Sequence, residues 1–421
     1  MSKKALRRIG LGSLILAGVL AFSVSSTSAI PTPPAIGVVC TNGPTFSLTT
    51  ATGYIYTPDG NSVYMWSYAP TGGSFQSPGP VLCVNQGDPV TVDLTNTLPE
   101  PVSIVFPGQT DVSATMMSGA GVTGTFTLEA NTGETVRYTF LAGEPGTYLY
   151  ESGSNPHKQV HMGLYGALIV RPDGDFGFGP DYAYNHTSAQ FDTTREYLIL
   201  LHEIDPDLHS AVEEGFAYDV TKFRPRYFTI NGRAFPDTVA DNNAPWLPSQ
   251  PYGALVEVRA ATGGSQPALI RYANASMANH PFHPHGNHLK VIARDGRLLR
   301  GPIDEDTSFE NFTRTIGSGQ TYDLLFKWTE VDAWISPGGT PVPVTIPGLQ
   351  NLVFKDGATF YSGDPELGEQ DELPVDVVTY NECGEFYFPW HSHALFEFTN
   401  FNEGFGGLAT ILRVDPPTGC P

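Results

Sequence analysis

Basic residues are scarce in this chain: 22 lysines and arginines stand against 43 aspartates and glutamates, a net charge of −21. No positive field is available to attract phosphates, so nucleic-acid binding is excluded. Long apolar runs are missing as well. The one candidate, Leu14–Phe22, is shorter than the ~20 residues a spanning helix needs, so no membrane span is expected. Lys3, Lys4, Arg7 and Arg8 precede that run and small residues follow it to Ala29. Residues 1–29 therefore read as a cleaved signal peptide, and Arg7-Arg8 followed by Ile-Gly-Leu gives it a weak twin-arginine character. The protein is expected to be secreted or periplasmic, at −25 once the leader's four basic residues are gone. Cysteines number only four: Cys40, Cys83, Cys383 and Cys420. An even count in an exported chain suggests disulfides, and of the three connectivities we favour Cys40–Cys83 and Cys383–Cys420, each within its own half.

Charged residues make up only 15%, whereas glycine (45), proline (36) and aromatics (12%) are plentiful. Short Val/Ile/Thr/Tyr runs closed by turn residues give an all-β signature. Val81–Asn96, Gly133–Phe140, Gly146–Ser152 and Gly163–Val170 each alternate apolar with polar residues, as half-buried antiparallel strands do. Leu255–Arg259, Ala268–Asn274, Gly317–Phe326, Gly384–Trp390 and Gly404–Val414 repeat the order. Two diverged copies of one β-sandwich explain this economically. We place domain 1 at 35–172, a linker at 173–193 and domain 2 at 194–415. A long insertion at about 329–381, rich in Pro, Gly and Asp, reads as loop. Asp205–Glu214 is at most one short helix.

Six of the eleven histidines fall in two short stretches, His280-Pro-Phe-His283-Pro-His285-Gly-Asn-His288 and Trp390-His391-Ser-His393. Side chains at i and i+2 of an extended segment share a face, so each H-x-H pair can aim two imidazoles at one metal. Neutral imidazole suits Cu, Zn, Fe and Ni, and the affinity order favours copper. His157-Lys-Gln-Val-His161 is spaced for a helix but sits in what reads as loop, and His186, His202 and His209 have no supporting context.

These stretches resemble the multicopper oxidases, whose domains are small cupredoxin Greek-key sandwiches. His280-Pro-Phe-His283-Pro-His285-Gly matches the family's third histidine motif and His391-Ser-His393 the fourth. Asn231-Gly-Arg233 and Gly163-Leu-Tyr-Gly-Ala-Leu-Ile-Val170 also look like the family. The resemblance implies an all-β chain of two tandem cupredoxin-like domains, a copper cofactor, a small-molecule or metal-ion reductant with O2, and assembly as a homotrimer. Departures are as informative. The first motif is Val105-Phe-Pro107-Gly108 and the second Tyr150-Glu151-Ser152-Gly153; neither has an imidazole. Ser392 stands where the family has the cysteine of its type 1 copper, and Glu397 where it has a type 1 histidine. A blue copper site needs that thiolate, so none is expected here and ordinary laccase turnover should fail.

The expected metal ligands are His283, His285, His391 and His393, with His280, His288 and Glu151 as further candidates. Copper is the first choice of metal; Zn, Mn or Fe stay open, the last two if Glu151 ligates. We expect a copper-dependent oxidoreductase with a reduced site. The alternatives are a copper-binding or storage protein, against which the lack of Met-rich and His-rich tracts speaks, and a structural protein on a retired oxidase scaffold.

Overall fold

A computed structural model describes residues 35–124, 126–174, 177–260, 265–328 and 386–415, with short strands at 350–353, 359–360 and 378–380. The leader, Cys383 and Cys420 lie outside the described residues. Cys40 and Cys83 form a disulfide, as expected, with their Cα atoms 5.6 Å apart.

Strands dominate, and they build two pairs of sheets. In the first half one sheet runs Cys40–Asn42, Val81–Asn85, Tyr165–Arg171, Gly146–Glu151. The other runs Ser62–Pro70, Thr45–Tyr56, Pro89–Thr95, Thr135–Leu141, Ser113–Ser118. In the second half a sheet ordered Val256–Arg259, Ala409–Asp415, Phe386–Ser392, His280–Pro284, Arg314–Ile316 faces a seven-stranded one centred on Ala268–Asn274 and Thr321–Phe326. Pro89–Thr95 buries every second residue, the pattern of a strand with one face on a core. Glu196–Ile204 is buried along its whole length because both of its faces are covered.

The same pairings recur in both halves. Val81–Asn85 runs parallel to Tyr165–Arg171, which pairs antiparallel with Gly146–Glu151; Val256–Arg259, Ala409–Asp415 and Phe386–Ser392 repeat that trio. Thr45–Tyr56 runs parallel to Pro89–Thr95, as Glu196–Ile204 does to Ala268–Asn274. These parallel pairs depart from the purely antiparallel expectation. Crossover connections set the first and last strands of each motif side by side, and an alternating pattern says nothing about a partner's direction.

Each half has its own apolar core, and a third cluster joins them. Leu149, Tyr165 and Ile169 of the first half pack with Leu198, Leu200, Tyr252 and Ala273 of the second. Polar groups cross the same boundary. Arg271, 1% exposed, reaches Glu196 at 2.6 Å and Asp323 at 3.3 Å, while Arg171 reaches Glu196 at 2.7 Å. Thr147 donates to Asp323 at 2.5 Å. Part of the stretch between the halves is packed: Ala183, Tyr184, Ala189 and Phe191 are buried against Leu269 and Ile292.

Two segments read as loop carry regular structure. Pro156–Gln159 is one helical turn, α1, begun by a proline that fits its first turn. Within 329–381, Gln350–Val353, Thr359–Phe360 and Val378–Tyr380 form a three-stranded sheet. The short helix expected after Asp205 is present as α2 (Pro206–Glu214). The Asp205 carboxylate accepts from the Asp207 N–H at its start, and Gly215 ends it at φ 74°, a left-handed conformation that glycine adopts without strain. Leu208 is buried in the first-half core with Val212 packed against it, so a helix from the second half covers the first.

Candidate metal centre

Strands His280–Pro284 and Phe386–Ser392 are antiparallel neighbours in a register that sets His283 opposite His391 and Phe282 opposite Ser392. Alternation then divides the side chains. Phe282 and Trp390, both 0% exposed, go to the inner face; His283, His285, His391 and His393 share the outer one. Ring centres lie 4.8 Å apart for His283–His285, 5.0 Å for His283–His393, 5.2 Å for His285–His391, 5.7 Å for His283–His391 and 5.9 Å for His391–His393. The His285 and His391 Nε2 atoms are 3.2 Å apart.

An imidazole ligating at about 2.0 Å has its ring centre about 3.1 Å from the metal, so four ligands place ring centres roughly 4.4–6.2 Å apart. The observed spacings fall in that range. Among the described residues, however, no three His, Cys, Asp or Glu groups converge in ligating geometry. The rings are gathered, and closing a shell on one ion requires turning them. His393 is exposed and free to turn, whereas two others are held. His283 Nδ1 pairs with Thr313 Oγ1 at 2.7 Å, which leaves its Nε2 for a metal, and His391 Nδ1 donates to the Ser392 carbonyl at 2.8 Å, which turns its Nε2 toward that of His285.

Burial disfavours the charged form of three of these rings, and a metal ligand must be neutral. Burial, then the neighbouring imidazoles, pushes His285 down to about 4. Burial also lowers His283, with His391 and His393 adding to it, and burial lowers His391.

The inner face holds a second set. His280 lies two residues before Phe282 and so points inward, where its Nδ1 sits 2.9 Å from Glu397 Oε2. Neither His280 ring nitrogen makes an aligned hydrogen bond. Ser392 donates a short hydrogen bond to the same Glu397 oxygen. His280 and Ser392 are 0% exposed and Glu397 1%. Where the resemblance implies a type 1 copper, Ser392 is hydrogen-bonded to Glu397 and His280 lies against the same carboxylate. Glu203, also buried, accepts from the Met277 and Ala278 N–H groups beside them.

The first half repeats the register without the ligands. Val105 bridges Glu151 as His283 pairs with His391. A Cβ on Gly153 would meet Val105 Cγ1 at 2.7 Å and Ser103 Oγ at 3.1 Å, so Val105 fills the room a side chain at Gly153 would need. Glu151 has its pKa raised by burial, and no described hydrogen bond, ion pair or ring contact joins it to the four imidazoles. His288 is exposed and packs on Phe312, which also touches His283.

Several residues at this site were not singled out from sequence. Thr313 and Phe312 belong to the segment Asn311-Phe-Thr, and Phe398 stacks on His391 at 4.9 Å. Elsewhere His161, His202 and His209 come together: all are at most 3% exposed, and His202 Nε2 donates to the His161 carbonyl at 3.2 Å. Their spacing in sequence gave no signal, because three separate elements bring them in.

A multicopper oxidase family model matches residues 56–175. The chain is 36% identical over 289 residues to an L-ascorbate oxidase of Cucumis sativus, covering 66% of this chain and 46% of that protein. It is 26% identical over 293 residues to Laccase-2 of Cryptococcus neoformans, covering 68% and 44%. The chain thus spans less than half the length of these curated relatives. Its fold is similar to that of a blue copper oxidase from Nitrosomonas europaea, with a TM-score of 0.57, 20% identity and coverage of 88% and 85%.

Proposed function

We propose, since this chain belongs to the multicopper oxidase family, that it is a copper-dependent oxidoreductase whose site is reduced to the imidazoles of its second half. His283, His285, His391 and His393 would hold the metal; His280, His288 and Glu151 stand outside that set. The observation that carries this reading is the register pairing His283 with His391, which gathers four imidazoles on one face. Bound copper would supply one-electron redox chemistry. The chain's own residues do the rest. Thr313 and the Ser392 carbonyl fix two ring orientations, and Phe312 and Phe398 wall the cluster with apolar surface. With Ser392 in place of a thiolate and His280 engaged by Glu397, no blue copper site is expected, and ordinary laccase turnover should be absent.

The wider setting belongs to the same proposal: export by the leader at 1–29, domains at 35–172 and 194–415, a small-molecule or metal-ion reductant with O2, and a homotrimer. No helix among the described residues is long and apolar enough to cross a membrane.

Metal content per chain after copper loading and desalting tests the reading, with a His283→Ala/His391→Ala double variant as control. One or two coppers per chain, lost in the variant, support it. Wild type that retains no copper leaves a structural role on an oxidase scaffold; copper retained without oxidation of any reductant leaves a binding or storage role.

A further inference from the structure

Away from the imidazoles, α2 roofs a cavity of about 420 Å³ against α1 and the first-half sandwich. Its walls divide by chemistry. Val212 and Phe216, the latter 67% exposed, offer apolar surface, and Lys158 with Glu100 offers a charged pair. The Lys158 ammonium lies 5.0 Å from the centre of the Trp66 ring and 2.5 Å from Glu100. Glu100 also accepts from the Gln159 amide at 2.7 Å, so its carboxylate is held from two sides. Lysine has three N–H donors and this one spends a single donor on Glu100, leaving two. Trp66 is 2% exposed, so its ring packs beneath Lys158 and is closed to a ligand.

Volume, a flat aromatic wall and unspent donors at one end are the ingredients of a small-molecule pocket. We propose that this cavity binds a small aromatic monoacid, its ring against the exposed face of Phe216 and its carboxylate on Lys158. The overall charge of −21 and the adjacent Glu100 disfavour a dianion. The lining shares no residue with the imidazole cluster, so the proposal stands independently of the copper reading.

Benzoate is the probe, titrated calorimetrically into the full chain, with cyclohexanecarboxylate and phenol as comparators. Benzoate should bind and each comparator should bind at least 10-fold more weakly, since one lacks the flat ring and the other the charge. Lys158→Met should weaken benzoate by about 10-fold or more, the range expected for losing a charge-assisted hydrogen bond. Val212→Trp, which fills the cavity, should abolish binding; unchanged thermal unfolding of both variants shows that they are folded. No benzoate binding at millimolar concentration, equal binding of cyclohexanecarboxylate, or undiminished binding by folded Lys158→Met would overturn the assignment.

Discussion

Acid should destabilise this protein through histidines that have no part in the proposed copper site. His161, His202 and His209 are buried beneath α2 and α1, and burial holds them in the neutral form. His161 and His209 are each lowered to about 4, even with Asp205 nearby favouring the proton. In the unfolded chain they take up protons near 6.5. Between pH 6.5 and pH 4 the unfolded state therefore binds more protons than the folded one, and stability falls as pH falls. At pH 4.5 the loss is on the order of 2–3 kcal/mol for each, a large share of the roughly 5–15 kcal/mol that holds a domain together. Above pH 6.5 they contribute nothing to the slope. Urea unfolding of metal-free protein, followed by tryptophan fluorescence from pH 7.5 to 4.5, measures this. His209→Asn keeps a donor for the Tyr64 carbonyl that His209 Nδ1 meets at 2.5 Å, and removes one titrating group. The slope of stability on pH should then fall by about one proton's worth, near 1.4 kcal/mol per pH unit. A midpoint that does not move between pH 6.5 and 4.5, or a slope untouched by His209→Asn, refutes the reasoning.

Copper retention should outlast acidification well below pH 6.5, because His285 competes for protons only near 4; half-loss above pH 6.5 on dialysis would contradict the assigned ligands. Glu397→Ala should cost about 1–3 kcal/mol in equilibrium unfolding, since it leaves the buried Ser392 hydroxyl without its acceptor, and Glu397→Gln should cost less because Ser392 keeps one. Arg271→Met should also cost about 3–5 kcal/mol, leaving Asp323 without its guanidinium partner, and a loss under 1 kcal/mol would show that the network between the halves is dispensable. Gly232→Ala should unfold at a lower temperature, because Gly232 has φ 83° and a Cβ there would meet the Ser77 carbonyl oxygen at 2.3 Å.

Period-two alternation made the strands legible: Pro89–Thr95 buries Val90, Val92 and Leu94 as its pattern says. The H-x-H spacing likewise placed each imidazole pair on one face, and the resemblance joined the two pairs. What could not be read was partnership. Nothing in Val81–Asn85 shows that its neighbours run parallel to it, and nothing local to Leu200-Leu201-His202 shows that His161 will lie against its ring nitrogen. The small sheet within 329–381 was hidden by the prolines and glycines around it. Ser392 was legible as a missing thiolate, but its hydrogen bond to Glu397 depends on a turn that composition does not encode.

Val105 and Gly153 have a consequence for how this molecule can change. A histidine introduced at Gly153 alone lands on the Val105 methyl, an overpacked arrangement costing about 1–3 kcal/mol. Trimming Val105 first opens a void instead, at a cost of about 1 kcal/mol or more. Either order passes through a less stable intermediate. The two positions act as a ratchet: a four-imidazole set can be tuned one residue at a time in the second half, while the first half would have to be rebuilt in concert.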